Sequence, residues 1–163
     1  KLSKFENISL FMKKKIALIV ILAILIIIQF FPASKNQSTE LLASDITKVT
    51  TVPDDVLQVL KAACYDCHSN NTVYPWYNNI QPVAWWLNRH VEEGKEHLNF
   101  STFGEYTSEK AAKKMRGIAR EVEKGDMPLT SYTLIHRNAV LNETQKQAVI
   151  NWTKSAVIAS LAH

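Results

Sequence analysis

The chain of 163 residues carries a formal net charge of +4, a length that allows one small domain with appendages. Lys1, Lys4, Lys13, Lys14 and Lys15, offset by Glu6, supply that charge, and from Ser34 onward acids and bases balance at fourteen each. A nucleic-acid binder concentrates basic residues on its folded part, so this balance excludes nucleic acid as a partner.

Ile16 to Phe31 is an almost unbroken apolar run in which only Gln29 is polar, directly after three lysines. Basic residues before such a run hold the N-terminus in the cytoplasm and send the C-terminal side outside. Residues 1–15 are therefore expected as a cytoplasmic basic segment and residues 16–32 as a transmembrane anchor. Met12 opens a self-sufficient Met-Lys-Lys-Lys start, so the residues before it are expected to be an over-extended reading. The run of sixteen residues rises roughly 24 Å, short of a hydrocarbon core of about 30 Å by an amount that snorkelling lysines can close. Phe30-Phe31-Pro32-Ala33-Ser34 lacks the paired small residues of a cleavage site, which favours a retained anchor over a cleaved signal peptide. The expected location is the inner (cytoplasmic) membrane, single-pass, with the C-terminal domain periplasmic.

Residues 33–52, polar and poor in large apolar side chains, are expected as a linker, leaving 53–163 as the functional domain. Pro53 followed by Asp54 and Asp55 marks a helix start, with acids at the positive end of the dipole. Val56, Leu57, Leu60, Ala63 and Cys64 recur at helical spacing. At the end of this helix stands Cys64-Tyr65-Asp66-Cys67-His68, which contains both cysteines of the chain. Two thiols separated by two residues, with a histidine directly after, form the pattern that attaches a c-type haem. Each thiol forms a thioether to a vinyl group, and His68 lies beneath the iron as an axial ligand. Other readings of the same residues stay open. A structural zinc site needs four ligands, and His90, His97, His136 and His163 lack the usual short spacing of a second pair. A redox-active dithiol follows a strand in an α/β fold, and no strand is expected before Cys64. A plain disulfide needs no histidine.

Ser69 to Pro82 reads as a polar and aromatic loop, and Pro82 opens a second helix through Trp85, Trp86, Leu87 and His90, ending near Gly94. Trp76, Trp85, Trp86, Tyr74 and Tyr77 are expected either to wall a haem or to form core, with N–H and O–H groups available to propionates. Leu98 to Thr107 is irregular. Ser108 is expected to cap a third helix that runs to Lys124, with Ala112, Met115, Ala119 and Val122 inward and Gly125 closing it. Lys110, Lys113, Lys114, Arg116 and Arg120 give it a basic face, either solvated or able to dock an acidic partner. Asp126 to Leu141 is a long connection, and Asn142 with Gln145 forms a capping box. The last helix buries Ala148, Val149, Trp152 and Ala156. No sustained apolar–polar alternation occurs, so the domain is expected to be all-α.

The sixth position on a haem iron decides its use. Met12 lies on the wrong side of the expected anchor, and Met115 falls on an apolar helical stripe where methionine usually packs. Met127, in Gly125-Asp126-Met127-Pro128-Leu129, sits just past a helix end, where a loop stiffened by proline can present its sulfur. It is the expected second ligand, so the cofactor and metal ligands are Cys64, Cys67, His68 and Met127, with His68 and Met127 on the iron. His136, His90, His97 and an open site are the alternatives.

A helix, a Cys-x-x-Cys-His motif, a Met-Pro loop and a closing helix with an inward Trp resemble a class I cytochrome c domain. The fuller pattern resembles the small bacterial haem-binding domain family. It is carried by Cys64 to Asn70, Tyr74 to Tyr77, Pro82, Trp85, Trp86, His90, Val91, Leu98 to Phe100, Gly125 to Pro128, Tyr132, His136 and Trp152. The resemblance covers roughly Asp54 to Ser155 and implies a cytochrome c-like helical domain with haem at Cys64, Cys67 and His68 and Met127 as distal ligand. The expected fold is that domain, with one covalent haem c per chain, behind the N-terminal transmembrane helix read from the apolar run. The expected function is that of a non-enzymatic, membrane-anchored carrier of single electrons on the periplasmic side. Its expected partners are redox proteins, and it would meet the membrane through its N-terminal helix. The alternatives are an open-site haem protein that handles peroxide or a gas, and a zinc or disulfide interaction module.

Overall fold

The computed structural model describes residues 4–161, with side chains over 9–157; His163 lies outside the described residues. The helices are α1 (Lys4–Ile27), α2 (Ile46–Val49), α3 (Asp54–Ala63), α4 (Tyr65–His68), α5 (Val83–His97), α6 (Ser108–Lys124), α7 (Thr130–Thr133) and α8 (Glu143–Leu161), with 3-10 turns between some of them. An isolated antiparallel bridge pairs Gln37 with Asn71. The described chain is thus all-α, as its patterning predicts. It divides into two compact units. One takes in the chain up to Ser34 together with Pro75–Asn88, and the other takes in Lys35–Tyr74 and the chain from Arg89 onward.

The first unit corrects the expectation of an anchor. No described helix is long and apolar enough to cross a membrane. α1 reaches its 24 residues only by including Lys13, Lys14 and Lys15 and the polar residues before them. Its apolar stretch from Ile16 to Ile27 rises about 18 Å against a hydrocarbon core of about 30 Å. Beyond Ile27 the helix tightens into a 3-10 turn, Ile28–Phe30, and Pro32 comes two residues later. The transmembrane helix in the expected fold class and the inner-membrane, single-pass location rested on that span and are withdrawn with it. Gln29, the polar interruption, has a structural task. Its amide donates to the carbonyls of Leu25 at 2.8 Å and Gln81 at 3.2 Å and accepts from the Gln81 N–H at 2.9 Å. Trp85 donates its indole N–H to the Phe31 carbonyl at 2.9 Å. Trp76, Trp85 and Trp86 remain 76%, 40% and 49% exposed, so the aromatic insert is not the buried core that one reading of it expected.

In the second unit the core is made where α6 and α8 pack together, with α3 against α8. Val56, Val59 and Leu60 from α3 meet Met115, Ile118 and Val122 from α6, Val149, Ile150 and Trp152 from α8, and Phe100. The helices start and stop where local chemistry dictates. The Thr107 hydroxyl, rather than that of Ser108, accepts from the Lys110 N–H at the start of α6. Gly125 closes it at φ 78°, a left-handed turn that glycine adopts without a Cβ penalty. Asn142 and Gln145 exchange bonds of 2.9 and 3.0 Å, each accepting from the other's backbone N–H, as a capping box requires. The stretch expected as linker is partly structural: Asp45 caps α2 by accepting from Thr47 N–H at 2.9 Å, and Ile46 is fully buried in the core.

Candidate functional site

α3 ends at Ala63 because Cys64 leaves helical geometry, at φ −128°. The single turn α4 then restarts, with the N–H groups of Cys67 and His68 donating to the Cys64 carbonyl at 3.2 and 3.0 Å. Residues three apart on such a turn share a face, so the two thiols are presented together. Both cysteines are half-buried and free. Burial, and then the neighbouring Cys67, push the Cys64 thiol from 9.0 up to about 12. Burial, and then the Asp66 charge, push Cys67 up to about 11. These are protonated, shielded sulfurs rather than activated thiolates.

His68 is held by backbone from other parts of the unit. Its Nδ1 lies 2.8 Å from the Gly94 carbonyl and 3.1 Å from the Leu98 carbonyl. Two acceptors at one ring nitrogen assign the proton to Nδ1, which leaves the Nε2 lone pair as the donor for a metal. Burial lowers the His68 pKa, and the two carbonyls only partly counter it, so the neutral ligand form is favoured. Phe100 stands edge-on to the imidazole at 6.3 Å and stacks on Tyr65 at 5.2 Å. α5 reaches this turn at Gly94, where a Cβ would stand 2.5 Å from the Cys67 carbonyl oxygen. Asn99 donates to the Asn70 side chain at 2.9 Å, and the Ser101 hydroxyl accepts from the Asn70 N–H at 3.0 Å. The loop after His68 is thereby tied to the segment that carries Leu98.

Asp66, between the cysteines, is fully engaged. Its carboxylate accepts from the Val73 N–H at 3.0 Å and from the Tyr132 hydroxyl at 2.7 Å. Its carbonyl accepts from the Thr72 hydroxyl at 2.6 Å. Thr72 in turn accepts from the Asn36 amide at 2.9 Å, and Asn36 also donates to the Ser69 carbonyl. Burial, then the bond to Asp66, raises the Tyr132 pKa, and Cys67 and Cys64 are near enough to add to it. Tyr132 stacks on His136, with ring centroids 4.2 Å apart and planes 9° from parallel.

The structure therefore brings Cys64, Cys67 and His68 together on one turn. It places Met127, half-buried, in the loop between the closing turn of α6 and α7, five residues before Tyr132. Met115 is 3% exposed within the core. Pattern reasoning gave no role to Asp66, Thr72, Asn36 or the carbonyls of Gly94 and Leu98. The acceptors of His68 are backbone atoms, which no residue type announces. Tyr132 and His136 were visible as residues of the family pattern without a contact to explain them.

A family model described as a haem-binding domain matches residues 23–155, and the chain belongs to that family. It is a haem protein. No curated protein and no solved structure matches it. The donor set fits such a group: a neutral imidazole held at Nδ1 beside two paired thiols. Among the described residues, no group of three or more His, Cys, Asp or Glu side chains forms a site for a bare metal ion.

Proposed function

We propose that the chain is a monohaem c-type cytochrome that carries single electrons between partner proteins and performs no bond chemistry on a substrate. Cys64 and Cys67 would hold the haem through thioethers, and His68 and Met127 would ligate its iron. The observation that carries this reading is the fixing of His68 Nδ1 by the Gly94 and Leu98 carbonyls one residue after the Cys64–Cys67 pair. When bound, the haem supplies a one-electron couple between ferrous and ferric iron.

The residues of this chain do the rest. Burial keeps the imidazole neutral and the two carbonyls keep it correctly turned, so an electron could pass without a change in ligand orientation. The thiols are protonated and shielded before attachment. A thioether at Met127 is a soft donor that favours ferrous iron and raises the potential.

A haem stain on a denaturing gel, together with mass spectrometry, checks the attachment, since thioether-bound haem survives denaturation. One haem mass per chain is expected, and it should vanish in the Cys64→Ala, Cys67→Ala double variant. A chain without added mass would end the c-type reading. The reduced and oxidised spectra check the ligands: a low-spin haem with a near-infrared sulfur-to-iron band supports a carrier. A high-spin resting haem with rapid carbon monoxide binding points instead to an open-site protein.

A further inference from the structure

We infer that Tyr132 is a positioning residue: its bond to Asp66 fastens the loop that carries Met127 to the turn that carries Cys64, Cys67 and His68. The inference rests on the reading of Met127 as the sixth ligand. That loop has two anchors. At its start the N–H groups of Asp126 and Met127 both donate to the Glu121 carbonyl at the end of α6, at 3.0 and 3.2 Å. At its far end the Tyr132 hydroxyl donates to Asp66 at 2.7 Å. Between them, the Tyr132 N–H donates to the Leu129 carbonyl at 3.0 Å, so α7 transmits the second anchor toward Met127.

Asp66 is a firm post. Val73 holds its other carboxylate oxygen, and Thr72 holds its carbonyl. The Tyr132 ring cannot swing freely either, because His136 covers its face at 4.2 Å. A methionine sulfur is a weak ligand on a flexible side chain, so what keeps it at an iron is the placement of its backbone. Without the Tyr132 anchor the loop would lose this tie to the Cys64–His68 turn, leaving α6 at its start and the buried Ala139 beyond α7 to hold it. Tyr132 would thus act on the iron only through Met127, and Asp66 would act only through Tyr132.

The test compares the haem-loaded full chain with Tyr132→Phe and Asp66→Asn. The asparagine can still accept from the Val73 N–H while its amide N–H donates to the Tyr132 oxygen. In Tyr132→Phe, amide hydrogen exchange over residues 126–133 should accelerate about tenfold, the scale of one lost hydrogen bond to a charged group. The sulfur-to-iron band should weaken and the reduction potential should fall, while the haem stays attached on a denaturing gel. Asp66→Asn, which keeps both contacts, should stay near the parent protein in amide exchange and in the sulfur-to-iron band. Unchanged exchange in Tyr132→Phe overturns the anchor, whatever the sixth ligand is. Faster exchange with an unchanged band and potential overturns the positioning role, and so does loss of the attached haem. Met127→Ala separates the two levels: if it leaves band and potential untouched, the ligand reading fails and positioning of a ligand by Tyr132 fails with it. If Met127→Ala removes the band and Tyr132→Phe does not disturb it, only the positioning role is lost.

Discussion

At the scale of single residues, burial governs how the site is protonated. Cys64 and Cys67 are held at about 12 and about 11, against an ordinary 9.0 for each, because their sulfurs are desolvated and sit beside each other and Asp66. A raised thiol pKa means that the folded chain binds more protons than the unfolded chain once pH passes 9. The haem-free protein should therefore lose stability as pH climbs from 9 toward 12. Thioethers do not titrate, so the haem-loaded protein should lack that share of the loss. Urea midpoints at pH 8 and pH 10, measured on both forms, check this, and parallel pH profiles would contradict attachment at these sulfurs. Gly94 offers a second test at this scale. A methyl there would stand 2.5 Å from a backbone oxygen of Cys67 that has no free rotor. Gly94→Ala should cost about 1–3 kcal/mol by overpacking, more than the gain of up to about 1 kcal/mol in helix propensity. That Cys64, Cys67 and His68 stand together on one turn was legible in the sequence because they lie within five residues of one another. Gly94 and Leu98 as partners of His68 were not, since the imidazole meets their carbonyls and any residue has one.

At the scale of elements, the long helices obey local rules closely enough for substitutions to be ranked. Gly117 lies inside α6 with nothing within 4 Å of a Cβ built on it, so Gly117→Ala should stabilise by about 0.5–1 kcal/mol. This is the opposite sign to Gly94→Ala, and thermal melts of the two variants should move in opposite directions. Asn142 accepts from the Gln145 N–H at 2.9 Å at the start of α8. Asn142→Ala should cost about 1 kcal/mol, read as a lower urea midpoint at an unchanged slope. α6 ends at Lys124, where Gly125 predicts, because that glycine makes the stop; it starts one residue earlier than expected, at Ser108, because Thr107 rather than Ser108 caps it. α5 runs past its expected end to His97. Glycine there reads as a stop, yet Gly94 is in the helix because the close approach of Cys67 requires it.

At the scale of the whole molecule, each compact unit draws on segments distant in sequence, and this is where pattern reading failed most. The apolar run of α1 looks like a span when hydropathy is read in one dimension. Its helix ends at Ile27 with lysines inside it, so the apolar length falls short. The stretch expected as a linker gives the core Ile46 and packs Val52 against it, since its apolar side chains are spread among polar ones and were too few to announce burial. Trp152 is the reverse case: its position on the last helix marked it as inward, and it is 6% exposed with its indole N–H bonded to the Thr51 carbonyl at 3.1 Å. Trp152→Ala should cost about 3–5 kcal/mol, measured by denaturant unfolding of the haem-loaded chain. By itself the amino-acid order determined the all-helical character, the main helix limits around α6 and the pairing of two thiols with one imidazole, because each depends on neighbours within a few residues. Only the tertiary structure decided that His68 is fixed by Gly94 and Leu98, that Asp66 meets Tyr132, and that the N-terminal helix is too short in its apolar part to span a bilayer. Those outcomes depend on which backbone atoms approach across tens of residues and on where a helix stops, and neither is encoded in the spacing of residue types.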